Sequence, residues 1–185
     1  MIKHTKLLNS KKSALIVIDI QEKILPVIFQ YDRVVENSIK LIKGFKSLGL
    51  PVYYTEQYPK GLGPTLLQVK EALEDARAIE KMSFSCYGAP GLFEELQNKK
   101  IEQVVLCGVE AHVCVMQTAL DLAANGFQVH VAADAVSSRR EFDFNIALNR
   151  MKSNNAEVTL TESVLFELLE VCGTDQFKFV SKLVK

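Results

Sequence analysis

The sequence predicts an α/β protein: a Rossmann-like, three-layer, doubly wound sandwich whose central, mainly parallel sheet of about six strands lies between two layers of helices. Three observations lead there. Short runs that are apolar at nearly every position recur along the chain, the mark of strands covered on both faces. The segments between them carry apolar residues at a spacing of about 3.6 and close on glycine or proline. The chain has 185 residues, 48% of them apolar. That is enough to bury a core on both sides of one sheet, so residues 1–185 are expected to form a single domain.

The first strand is read at residues 14–18, ALIVI, rich in β-branched side chains and ending in Asp19. Val34, Val35, Ile39, Ile42 and Phe45 then keep a helical period, which Gly49 and Pro51 close: glycine takes a left-handed cap at little cost and proline cannot continue the helix. A second strand covers 52–55. The turn-rich stretch 56–64, EQYPKGLGP, reads as a surface loop, and because it follows a strand it belongs to the binding face. A weaker strand at 78–80 precedes Lys81. Leu92, Phe93 and Leu96 mark a helix entered through Pro90. After a strand at 104–107 and a glycine turn, a helix runs through Ala119, Leu120, Leu122 and Ala123 to Asn125-Gly126. Strands at 129–132 and 158–160 flank a helix over about 141–152, and a last helix covers about 163–172. Strands alternating with helices imply right-handed crossovers, and ligands in such sheets bind beyond the carboxyl ends of the strands. No internal repeat or low-complexity tract interrupts the pattern.

Composition narrows the function. Lys and Arg number 22 and Asp and Glu 22, with no long run of either sign. The chain therefore lacks the electrostatic footprint of a nucleic-acid or membrane-surface partner, and a small-molecule substrate is expected. Cys86, Cys107, Cys114 and Cys172 show neither C-x-x-C pairing nor the density of a disulfide scaffold, which fits a reduced, cytoplasmic setting. The lysine-rich N-terminal arm precedes an apolar run as in a signal peptide, but that run ends at Asp19 and no small-residue cleavage site follows. No apolar stretch approaches the ~20 residues of a membrane helix.

Three residues stand where chemistry is expected. Asp19 directly follows an apolar strand; it is a candidate acid or base at the crevice, or a hydrogen-bond acceptor for the next turn. Lys81 ends the third strand, as a site cation or a solvated lysine at the sheet edge. Cys114 arrives after a strand and the glycine turn at Gly108 and opens a helix, whose positive end is expected to favour a thiolate. Cys107 sits inside a strand and Cys172 on a helix, so both read as small hydrophobes. Cys86 follows Lys81 closely and could face the same crevice. His112 is either a substrate contact or a backbone partner in the turn. His4 and His130 lie far apart, and no local cluster has zinc-like spacing. There is also no G-x-G-x-x-G after the first strand and no phosphate loop, which argues against a nucleotide cofactor.

Four segments, taken in order, carry a resemblance: residues 15–21 (LIVIDIQ), 81–85 (KMSFS), 107–115 (CGVEAHVCV) and 132–135 (AADA). Together they resemble the isochorismatase-like hydrolases, over about residues 13–161. The resemblance implies a cofactor-free triad: Cys114 the nucleophile, Asp19 the acid and base, and Lys81 the cation keeping both ionised. It also implies a cis peptide between Val109 and Glu110 that aims the amides of Glu110 and Cys114 at one point, an oxyanion hole. Gln21, Tyr58, Phe84 and His112 share that end of the sheet and are the substrate-binding candidates.

Departures from the family pattern place the chain within it. Nicotinamidases carry an Asp-x-His metal motif after the second strand, where this chain reads Thr55-Glu56-Gln57-Tyr58, so no metal is expected. Isochorismatases acting on a vinyl ether usually have glycine where Cys114 stands. A cysteine there favours cleavage of a C–N bond through a thioester, and the loop at residues 55–63, TEQYPKGLG, resembles that of the compact isochorismatase-domain hydrolases. A vinyl-ether hydrolase using Asp19 as acid, and a non-catalytic binding or redox-sensing protein, are the alternatives. The resemblance further implies a homo-oligomer, a dimer or larger, with residues 177–185 as a contact element.

Overall fold

The computed structural model describes residues 4–185; Met1 to Lys3 of the N-terminal arm lie outside the described residues. Six strands form one sheet in the order β3-β2-β1-β4-β5-β6, every pair parallel. They are β1 (Ser13–Ile18), β2 (Val52–Gln57), β3 (Ala78–Lys81), β4 (Gln103–Val109), β5 (Gln128–Ser137) and β6 (Glu157–Thr159). The order runs outward in both directions from β1 and β4, so the sheet is doubly wound and its switch point lies between those two strands.

Side chains of β1 alternate between two cores, as a period of two demands. Leu15 and Val17 enter one, with α1 (Tyr31–Ser47), α3 (Leu67–Leu73), α7 (Thr161–Leu169) and α8 (Asp175–Leu183) packed over it. Ala14, Ile16 and Ile18 enter the other, beneath α4 (Leu92–Asn98), α5 (Met116–Ala124) and α6 (Glu141–Lys152). The three-layer architecture follows directly from these continuous apolar strands.

Several expectations change at the edges of elements. The stretch 56–64 is not all loop, since β2 continues through Gln57 and a single turn, α2 (Pro59–Leu62), follows. α3 was not foreseen, and most of residues 177–185, expected as a contact element, lies in α8, which seats Val180 in the core. Strand β5 runs five residues beyond Ala132, because Asp134 hands its carboxylate to the N–H and hydroxyl of Thr161, 2.9 Å each. A charged residue with those partners can stand in a strand without breaking it.

Among the described residues, no helix is long and apolar enough to cross a membrane.

Candidate active site

Asp19, the residue after β1, takes a left-handed conformation (φ 52°), which aspartate tolerates better than most side chains. Its carboxylate is buried, and both oxygens are engaged. Oδ1 accepts from Thr55 Oγ1 at 2.7 Å, and Oδ2 accepts from Lys81 Nζ at 2.7 Å. Because β2 separates β3 from β1, only a long side chain at the end of β3 can reach Asp19. Lys81 does so past Gln57, whose Oε1 accepts from Nζ at 2.8 Å. The carbonyls of Phe84 (3.0 Å) and Ser83 (3.2 Å) accept from the same ammonium. With no exposed side-chain surface, Lys81 is a buried cation fully compensated by one carboxylate and three dipoles, not a lysine at the sheet edge.

The segment that supplies those carbonyls is itself tied down. Ser85 donates to Asp121 Oδ2 on α5 at 2.5 Å and caps the turn Cys86–Gly88 by accepting from the Tyr87 amide. The lysine clamp is thus fastened to the helix that follows the cysteine.

Cys114 lies in a π-helical turn, Ala111–Val115, that runs on into α5. The peptide bond before it, Val109–Glu110, is cis, as the family resemblance implies. Thr118, buried on α5, donates to the Cys114 carbonyl at 2.7 Å and accepts from the Cys86 amide at 2.9 Å. Cys114 is 6% exposed, and Asp19 acts on its thiol both through its charge and through hydrogen bonding.

That contact corrects the expectation of a resting thiolate. Burial pushes the Cys114 thiol far above its ordinary range, the charge of Asp19 pushes it further, and the hydrogen bond to Asp19 adds to both. Lys81 opposes them without winning. Cys114 also sits inside the turn before α5 rather than at a bare helix end, so the helix dipole does not decide its state. The resting arrangement is a neutral thiol aimed at a carboxylate that is held by a lysine.

Asp19, Cys114 and Gln57 open on a common cavity of about 80 Å³ at the switch point. Ile24, Leu62, Phe84, Val109 and Val113 line it, with Glu110 at one wall. Larger clefts lie against α1, α3 and α8, at the opposite end of the sheet, and on the outer side of the lysine segment, where Pro59, Lys81, Met82, Ser83 and Gly88 line a separate one.

Of the four substrate-binding candidates, Phe84 lines the cavity. Gln21 is corrected: it is fully buried and spends its amide on the loop, donating to the carbonyls of Gln57 (3.1 Å) and Gly63 (2.7 Å) and accepting from the Gln57 amide (2.8 Å). It shapes the wall and has no group left for a ligand. Tyr58 is half exposed and lays its ring over Gly61, where a Cβ would sit 2.4 Å from the ring. His112 pairs through Nδ1 with Ser138 Oγ at 2.9 Å. Neither Tyr58 nor His112 lines the cavity.

Thr55, Gln57 and Thr118 were missed in the sequence. The signal for Gln57 was present in the continuation of β2, which would place it beside Asp19 at the crevice. Thr118 follows Cys114 by one helical turn, a spacing that puts its hydroxyl at the Cys114 carbonyl. Glu56 accepts from the Thr65 amide and hydroxyl, 2.7 Å each, and so pins the far end of the loop. Among the described residues, no three His, Cys, Asp or Glu side chains gather as metal ligands.

The isochorismatase domain family matches residues 13–163. Isochorismatase domain-containing protein 2 of Danio rerio is 39% identical, the match covering 96% of this chain and 89% of that protein. The human protein of the same name is 38% identical over 94% of this chain and 83% of its own. Among solved structures, one described as the MAR1 ribonuclease of Caenorhabditis elegans is 40% identical with a TM-score of 0.90, covering 96% of this chain and 91% of that one. The Escherichia coli YcaC gene product, described as an octameric hydrolase of unknown specificity, shares the fold at 22% identity and a TM-score of 0.90, over 98% and 92% of the two chains. The family match over most of the chain and relatives at 38–39% identity over nearly all of it agree, and the chain belongs to the isochorismatase family.

Proposed function

We propose that this isochorismatase-family hydrolase cleaves the C–N bond of a small amide through a thioester on Cys114. The observation that carries the reading is that Cys114 and Asp19 open on one cavity while Lys81 holds a carboxylate oxygen of Asp19. A neutral thiol needs a base at the moment of attack, and a carboxylate in contact with it can take that proton and then deliver it to the leaving nitrogen. In the first half, Sγ bonds to the carbonyl carbon, Asp19 receives the thiol proton, and ammonia leaves with that proton. In the second half, water attacks the thioester, Asp19 takes its proton and returns it to Sγ, and the acid is released. The amides of Glu110 and Cys114 are the donors offered to the oxyanion, each worth ~2.7–4 kcal/mol where such a donor is removed.

The small-molecule reading also stands ahead of phosphodiester cleavage, the activity named for the Caenorhabditis elegans neighbour. The cavity presents two acidic side chains, and its one cation is already saturated by four acceptors. A phosphate would meet no free positive charge there. The deciding experiment is a screen of small amides and N-carbamoyl compounds for ammonia release, run beside Cys114→Ala and with an RNA substrate in parallel. Amide turnover lost in the variant supports the reading. Turnover of a vinyl ether that survives Cys114→Ala, or RNA cleavage without amide turnover, overturns it.

Self-association and a cytoplasmic setting belong to the same proposal. Four unpaired cysteines support the second, although one relative, from Phytophthora sojae, is named a secreted effector. For the first, α8 leaves Phe179 largely exposed beside the buried Val180. Light scattering that returns a monomer would remove it.

A further inference from the structure

Resting on that hydrolase reading, we propose that the substrates are short, uncharged aliphatic primary amides, and that amides bearing a carboxylate or an aromatic ring are excluded. Size comes first. The cavity holds about 80 Å³, against ~300–1,000 Å³ for the pockets of drug-sized ligands. That is the scale of a small amide with a short chain and not of a ligand of drug size.

The walls around that chain are aliphatic or aromatic: Ile24, Leu62, Val109 and Val113, with Phe84. Such a lining favours a short alkyl group and offers no partner to a polar one.

Charge decides the rest. Both ionisable oxygen groups on the cavity wall are acidic, Asp19 and Glu110. Lys81 is buried behind Asp19, with all its protons spent on Asp19, Gln57 and two carbonyls. Gln57 offers no charge in its place, only a neutral amide that already donates one of its two protons to the Met82 carbonyl at 2.9 Å. Arg139 sits outside the lining, exposed, with Nε on Glu110 at 2.8 Å. A substrate carboxylate would therefore be desolvated beside two carboxylates whose own cations, Lys81 and Arg139, lie outside the lining, with no free cation to receive it.

Two measurements on the full chain test this. The first compares propionamide with succinamate and benzamide for ammonia release. The second compares iodoacetamide with iodoacetate, two alkylating agents of nearly equal size that differ in charge. In either alkylation the S–C bond forms as C–I breaks, the thiol proton passes to Asp19 and iodide leaves. Exposed Cys172 reports the intrinsic difference between the reagents, and peptide mass spectrometry reads both sites. The expected result is a kcat/KM for propionamide at least tenfold above the other two amides. The iodoacetamide preference at Cys114 should also exceed that at Cys172 by tenfold or more, and Glu110→Gln should narrow it severalfold. Succinamate or benzamide turned over as well as propionamide, or equal preference at the two cysteines, overturns the substrate class while leaving the hydrolase reading intact. A preference that persists with no amide turned over overturns the hydrolase reading and its substrate together, leaving a cavity selective for neutral ligands.

Discussion

Gly108 lies so close to β1 that a Cβ on it would sit 2.0 Å from the carbonyl oxygen of Ile18 and 2.7 Å from its nitrogen. Its φ of 113° belongs to glycine as well, and the ladder between β4 and β5 shifts register beside it. Ile18 precedes Asp19, and Gly108 begins the turn that delivers Cys114. The close approach of these two backbones is what brings Asp19 and Cys114 to one cavity. Gly108→Ala should therefore cost at least ~1–3 kcal/mol of stability from conformation alone and more from the clash, with activity lost even where the protein folds. Urea denaturation and ammonia release measure the two effects.

Lys81 and Asp19 form a buried pair, and removing one partner leaves the other charged and without its counter-ion. Lys81→Met should destabilise by about 3–5 kcal/mol and abolish turnover. Asp19→Asn together with Lys81→Met should recover much of the stability and none of the activity. A double-mutant cycle by chemical denaturation checks this, and additive effects of the two substitutions would contradict the pairing.

The parts of this arrangement that were legible in the sequence are the ones encoded locally. An apolar run covered on both faces looks the same in any parallel sheet, so β1, β4 and their order along the chain could be read directly. Asp19, Lys81 and Cys114 could be placed because each ends or follows such a run. The state of Cys114 could not. A helix onset is visible in sequence, but what outweighs it is burial first and then the Asp19 carboxylate, and both come from elements far along the chain. Gln21 failed for a similar reason, since its partners, the carbonyls of Gln57 and Gly63, belong to a loop whose path only the tertiary structure fixes. Amphipathic α3 and α8 were hidden by their charged outer faces, which read as loop when only apolar spacing is followed.

The neutral resting thiol has a measurable consequence. Because Asp19 raises Cys114 through its charge and its hydrogen bond, Asp19→Asn should lower the pH at which Cys114 becomes a thiolate, while removing the base that turnover needs. Iodoacetamide labelling of Cys114 should thus show a midpoint at lower pH in Asp19→Asn than in the wild type, alongside lost ammonia release. A midpoint moved upward would mean that Asp19 does not face the thiol.

His130 lies far from the site and sets a different pH response. Buried in β5, it has its pKa lowered to about 4, first by burial and then by Lys6, with Glu157 opposing. Its Nε2 pairs with Gln128 Nε2, and Gln128 Oε1 is already taken by Gln103, so the imidazole is the acceptor and is neutral. The unfolded chain takes up this proton near the ordinary histidine value, about 6.5, and the folded chain only near 4. Stability should therefore be unaffected by His130 above about pH 6.5, fall between about 6.5 and 4 by ~3 kcal/mol, and level off below. His130→Gln should flatten that part of a stability-against-pH profile measured by urea unfolding.

Thr118 joins the two halves of the site. Its hydroxyl holds the Cys114 carbonyl and the Cys86 amide, while Cys86 Sγ lies 3.9 Å from Thr55 Oγ1 and Thr55 donates to Asp19. The nucleophile's turn and the acid are thus linked through buried side chains behind the cavity, none of which needs to touch substrate. Thr118→Val keeps the shape and leaves the Cys86 amide without its acceptor, a cost of about 1–3 kcal/mol. If Thr118 positions the nucleophile, kcat should fall tenfold or more with KM little changed, and Thr118→Ser, which restores the hydroxyl, should recover most of the rate. A variant that loses stability while keeping wild-type kcat at a temperature where it is folded would reduce Thr118 to a core hydrogen bond. Split kinetic constants, measured beside a denaturation curve, separate the two roles.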